Sequence, residues 1–66
     1  MTLEEAINKV CTQLHRREIV FTLYRAWEVS PTEFHVAVHA VQPFDAMLHF
    51  RVVNRWEVEE LEVRHE

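Results

Sequence analysis

The chain has 66 residues and no glycine, although average usage of about 7% would supply four or five. Phosphate-binding loops, dinucleotide fingerprints and nucleophile elbows need a residue that tolerates positive φ or lets the backbone approach a ligand closely. Sites of these kinds are therefore excluded. We expect no cofactor and no catalytic residue, and any helix end or turn that requires positive φ must use another residue.

The composition is typical of one small folded domain over residues 1–66, with 48% hydrophobic and 27% charged residues. A chain this short buries only about 60% of the surface that its unfolded form exposes, so a disulfide, a metal or self-association usually adds stability. Cys11 is the only cysteine, which excludes a disulfide within the chain. It falls in the middle of a predicted helix, where we expect a reduced thiol packed as a small hydrophobic group.

The first segment has the pattern of an amphipathic helix over residues 3–16. Thr2 and Glu5 have the spacing of a capping box. Apolar residues then recur every three or four positions, as one stripe: Leu3, Ala6, Ile7, Val10, Cys11 and Leu14. From Glu18 the period changes to two, which predicts strands separated by turns at residues 30–32 and 42–45.

The last eleven residues are compatible with two structures. Trp56 and Val58 alternate as in a strand, and a bulge near Glu59 and Glu60 would keep Leu61 on the same face. The glutamates alternatively favour a helix. The predicted fold is α+β, with one N-terminal helix packed on a three- to four-stranded antiparallel meander, in the order α-β-β-β-β or alternatively α-β-β-β-α. The predicted core is Leu3, Ile7, Val10, Leu14, Ile19, Phe21, Leu23, Trp27, Phe34, Val36, Val38, Leu48, Phe50 and Val52.

The face of the sheet away from the helix is the candidate functional surface. Pairing Val41 with Met47 in the second hairpin gives a coherent core register and sets His39 opposite His49. Pairing Trp27 with Phe34 in the first hairpin adds Thr22 and Tyr24 to the same face. The expected surface consists of Val20, Thr22, Tyr24, His39, Val41, Met47, His49, Arg51 and Val53.

Three interpretations of this face remain open. It is an ordinary solvated surface, a surface for self-association or a protein partner, or a ligand, metal or catalytic site that uses His39, His49, Tyr24 and Arg51. His39 and His49 are weak metal candidates because zinc takes at least three protein ligands and the spacing places no third. Tyrosine, methionine and arginine are enriched at interfaces, which favours a surface for self-association or a protein partner. We therefore expect no metal.

The sequence therefore predicts a small non-enzymatic interaction or regulatory module that forms a homodimer through this face or through an edge strand, with a further protein partner possible. A net charge of −4 disfavours nucleic acid, and no apolar run approaches the roughly 20 residues that span a bilayer. The acidic start of the chain differs from a secretory signal, so we expect a cytoplasmic protein. A designed or phage-encoded protein without catalytic activity is a further alternative.

Overall fold

The computed structural model describes the backbone of residues 2–53 and 57–65, and the side chains of residues 2–53, Val58 and Glu60. The strands form one antiparallel sheet in sequence order, and the helix packs on one of its faces. This architecture confirms the predicted α+β fold. The elements are α1 (Leu3–Arg16), β1 (Val20–Ser30), β2 (Glu33–Gln42), β3 (Ala46–Val53) and β4 (Glu57–His65).

Helix α1 begins with the predicted capping box. The Thr2 hydroxyl accepts a hydrogen bond from the Glu5 backbone N–H at 3.2 Å, and the Glu5 carboxylate accepts one from the Thr2 backbone N–H at 3.2 Å. Glu4 and Glu5 also place negative charge at the positive end of the helix dipole. These contacts satisfy N–H groups that have no partner within the helix.

The helix ends in a conformation that usually requires glycine. Glu18 has a φ of 58°, and its backbone N–H donates to the His15 carbonyl at 3.0 Å. The Ile19 N–H donates to the Leu14 carbonyl at 3.0 Å, and both side chains are buried. This is a Schellman motif with glutamate in the left-handed position. The lack of glycine therefore carries a local energetic cost here.

Replacing Glu18 with glycine is expected to stabilise the fold by about 0.5–1 kcal/mol. A Cβ in the left-handed region costs roughly 1–2 kcal/mol, part of which the greater freedom of glycine in the unfolded chain offsets. Urea unfolding at fixed protein concentration measures the change. Glu18→Ala removes the same carboxylate but keeps the Cβ, so a gain as large as that of Glu18→Gly would show that φ is not the cause.

The core lies between α1 and the sheet. Its buried members come from α1, the residue just before β1 and the two central strands: Ala6, Val10, Leu14, Ile19, Phe34, Val36, Val38, Ala40, Ala46, Leu48, Phe50 and Val52. Leu3, Ile7 and Phe21 pack against this cluster while remaining partly exposed. The predicted core is thus correct for most of its members.

Two residues that were predicted to lie in the core, Leu23 and Trp27, lie outside it in the structure. Leu23 is 49% exposed because it lies on the edge strand β1. Leu23 pairs with Val38 and Arg25 pairs with Ala37, so Tyr24 is an extra residue that forms a bulge. Beyond the bulge the alternation is inverted, and Ala26 packs against the core instead of Trp27. Trp27 lies on the face away from α1.

The register of the second hairpin also differs from the prediction. Ala40 pairs with Ala46 and Val38 with Leu48, which is a shift of two residues from the expected pairing of Val41 with Met47. A shift of two keeps every side chain on its face, so the apolar alternation cannot distinguish the two registers. The observed register pairs buried Phe34 with buried Val52, an apolar pair that the predicted register lacks.

The segment Glu57–His65 pairs with β3 as β4. Phe50 pairs with Glu60 and His49 with Glu62, so the backbone bulge falls at Leu61, one residue beyond the predicted position. Arg17 at the end of α1 forms an ion pair with Glu60 at 3.3 Å. Of the two residues whose alternation indicates a strand here, Val58 packs against the core and Trp56 lies outside the described residues.

Candidate interaction face and histidine cluster

The open face is the side of the sheet that faces away from α1. It consists of the residues of β1 to β3 that alternate with the core. At the end of the first hairpin that lies away from its turn, the strand pairing is as predicted, with Thr22 opposite His39. The described side chains on this face are Thr22, Arg25, Trp27, Glu33, His35, Ala37, His39, Met47, His49, Arg51 and Val53.

Three rings from three neighbouring strands form a cluster on the open face. Trp27 of β1 stacks on His35 of β2 with ring centroids 5.2 Å apart and an interplanar angle of 15°. His49 of β3 contacts both rings, at 5.5 Å from Trp27 and 5.0 Å from His35. The Arg25 guanidinium lies 5.0 Å from the centre of the Trp27 ring. Together these contacts make the middle of the open face aromatic.

A chain of polar contacts crosses the same cluster. His35 Nδ1 lies 2.8 Å from His49 Nε2, and His35 Nε2 lies 2.9 Å from a Glu33 carboxylate oxygen. Because a carboxylate only accepts, we assign the Nε2 proton to His35, whose Nδ1 then accepts from His49. Arg51 completes the chain, with Nε 3.4 Å from the Glu33 carboxylate.

The Glu33 carboxylate is held in its charged form by these neighbours. The hydrogen bond from His35 and the charge and hydrogen bond of Arg51 lower the pKa of Glu33, against a smaller opposing effect of desolvation. A carboxylate whose pKa is lower in the folded state than in the unfolded chain stabilises the fold above its ordinary pKa of about 4.3. That stability is lost as the pH falls through the lowered value.

Replacing Glu33 with glutamine is therefore expected to remove part of the acid sensitivity of the fold. The wild type should lose stability between about pH 5 and pH 3, and Glu33→Gln should lose less over the same interval. Urea midpoints measured across this range at fixed protein concentration give the comparison. Glu28→Gln in the same hairpin is the control, and an equal flattening by both variants would contradict the assignment to Glu33.

The histidine pair differs from the predicted one. His39 pairs with Met47 rather than with His49, and its Nε2 lies 2.6 Å from the Asp45 carboxylate. Ala37 lies opposite His49. The two-residue shift in register therefore brings His49 to His35, and the expected group of His39, His49, Tyr24 and Arg51 is not assembled.

Sequence reasoning missed Trp27, Glu33 and His35. The signal for Trp27 was Arg25, a charged residue at a position that strict alternation assigns to the core. A bulge before Arg25 moves it to the open face and takes Trp27 with it. The signal for Glu33 and His35 was their i, i+2 spacing on one strand face, which makes their side chains neighbours.

The rim of the open face is apolar at one side. Val20 is 54%, Tyr24 70% and Val41 41% exposed. Tyr24 is the bulge residue of β1, and Val41 is an extra residue in β2 opposite the start of β1. Val20 and Tyr24 therefore lie on the edge strand β1 and Val41 at the adjacent end of β2, while Met47, His49, Arg51 and Val53 are partly buried on β3.

The same geometry bears on the metal and enzyme interpretations of the open face. Among the described side chains, no group of three His, Cys, Asp or Glu residues is placed to hold a metal ion. Burial raises the pKa of the Cys11 thiol, which disfavours a nucleophilic thiolate. A depression of about 360 Å³ lies away from the histidines, lined by Asn8, Lys9, Thr12, Gln13, Arg16 and Val58.

Comparisons with protein families, curated proteins and solved structures found no match to this chain. Within the described residues, no helix has the length and apolar character needed to cross a bilayer. The open face and its histidine cluster are thus the features from which function must be inferred.

Proposed function

We propose that the protein is a non-enzymatic, cytoplasmic interaction module that pairs with a second copy of itself through the open face. The observation that carries this proposal is the Trp27, His35 and His49 cluster in the middle of a sheet face that α1 does not cover. Aromatic residues and arginine are enriched in the buried centres of interfaces. The unpaired Cys11 thiol suits a reducing compartment.

The open face has a suitable area for a small dimer. Counted with the backbone of β4, which extends the open face by one strand, four strands spaced about 4.8 Å apart with lengths near 30 Å span roughly 600 Å². This agrees with two of the overall dimensions of the chain, 32 and 21 Å. Small specific interfaces bury about 600 Å² or more per partner. A dimer on this scale requires most of the face, including the apolar rim at Val20, Tyr24 and Val41.

The charges of the open face also suit a second copy. Arg25, Arg51 and Glu33 are the charged side chains described on this face, and Asp45 of the β2–β3 turn adds a second carboxylate through its contact with His39, although the whole chain carries −4. Two copies can therefore approach through this face without the repulsion that their net charge would otherwise produce. A nucleic acid would instead require an excess of positive charge.

Pairing through the β1 edge is the less suitable route to a dimer. The β1–β2 ladder has three irregularities, between Val20 and Phe21, Leu23 and Arg25, and Glu28 and Ser30. Bulges interrupt the straight row of backbone donors and acceptors that a further strand would need. Between β2 and β3 the register is continuous over all eight pairs, so the described centre of the open face is regular.

Sedimentation equilibrium in the presence of a chelator tests the proposal. We expect a mass of twice the 8.0 kDa of one chain at neutral pH. A mass of one chain at high micromolar concentration and neutral pH would contradict self-association.

A further inference from the structure

We propose that His35 and His49 form half of a zinc site that a second copy of the chain completes. The inference rests on the proposed function, because the two remaining ligands are His35 and His49 of that second copy. His35 Nδ1 and His49 Nε2 lie 2.8 Å apart. Zinc bound tetrahedrally at 2.0–2.1 Å holds its ligand nitrogens about 3.4 Å apart, so the two rings need to separate by about 0.6 Å and to turn until both lone pairs point at the metal.

The surroundings of His35 match those of a metal-binding histidine. Such histidines donate their other ring N–H to a carboxylate or carbonyl, which fixes the tautomer and makes the ligand nitrogen more basic. His35 Nε2 is bonded to Glu33 at 2.9 Å, and Arg51 holds that carboxylate from the other side. The lone pair of His35 Nδ1 is thereby directed at His49.

Zinc binding requires a change of tautomer in His49 but releases no proton. In the metal-free chain His49 Nε2 carries the proton shared with His35; for both rings to act as ligands, His49 takes the tautomer protonated at Nδ1. Each ring remains neutral and donates one lone pair to the metal. Among the described side chains, Glu33, Arg51 and Arg25 are charged groups next to the pair, and the backbone register sets Glu62 of β4 opposite His49.

The position of the pair explains why a second copy completes the site. His35 and His49 lie on the two central strands of the sheet, and the small side chain of Ala37 lies opposite His49. A two-fold axis through this point of the open face brings four imidazoles together, which is the number that zinc takes in closed sites.

Zinc titration of the untagged protein tests the inference, with metal content and mass measured together. We expect one zinc for every two chains, and a dimer dissociation constant at least about tenfold lower with zinc than with a chelator. His35→Ala and His49→Ala should lose both effects, and Glu33→Gln should weaken zinc binding by about 10- to 100-fold. His39→Ala is the matched control and should retain them.

The absorption of Co²⁺ bound to the wild-type protein gives a test that does not depend on whether any variant folds. Four nitrogen ligands should give the intense visible absorption of four-coordinate Co²⁺, and zinc should displace it. Absence of zinc binding, one zinc per monomer, or equal loss in His39→Ala would each overturn the inference. A dimer that persists in chelator while zinc fails to bind would leave the proposed self-association intact, so the two failures are distinguishable.

Discussion

Leu48→Ala is expected to destabilise the fold by about 2–5 kcal/mol, whereas Leu23→Ala should cost less than about 1 kcal/mol. Leu48 is 1% exposed and Leu23 is 49% exposed. Both leucines pair with Val38, from opposite sides, so the comparison holds residue type and neighbour constant. A domain of this length has roughly 3–10 kcal/mol of stability in total, so Leu48→Ala should leave much of the protein unfolded.

Urea unfolding at one protein concentration measures both variants, because self-association adds to apparent stability. The alternation of the sequence assigns the two leucines equally to the core. If both variants lost the same free energy of unfolding, Leu23 would have to be buried, and β1 would not be an exposed edge strand.

Ala37→Lys is expected to weaken dimerisation by about 30-fold or more. Ala37 lies between Arg25 and His49 in the middle of the open face. A lysine there is solvated in the monomer but becomes an unpaired charge in the dimer interface, at a cost of about 2–5 kcal/mol. Sedimentation equilibrium in chelator gives the dissociation constants, and circular dichroism verifies the fold.

Gln13→Lys is the control for this substitution. It makes the same change of charge at an exposed position on α1, away from the open face. If both lysine variants dissociate equally, a general charge effect accounts for the result and the open face is not the contact surface.

The predictable part of the fold is the part that local chemistry determines. Thr2 and Glu5 cap α1 through contacts three residues apart, and the change of period after Glu18 marks the transition to strands. The two central strands alternate strictly, so their core residues are predictable as well. Here each residue's position depends on its near neighbours in the sequence.

The candidate site was less predictable because it depends on register. A shift of two residues between β2 and β3 preserves the hydrophobic pattern yet exchanges His39 for His35 as the neighbour of His49. The bulge at Tyr24 similarly moves Trp27 onto the open face without changing the composition of β1. Such choices are made by packing across strands, such as Phe34 against Val52, and by contacts such as that of His39 with Asp45.

Isotope-filtered NMR on a mixture of labelled and unlabelled protein tests self-association through the open face most directly. In chelator at neutral pH, we expect contacts between copies from Trp27, His35, His49 and Met47, with none from the exposed side of α1. Contacts between copies confined to α1 or to the backbone of β1, or no contacts at all at high micromolar concentration, would contradict pairing through the open face.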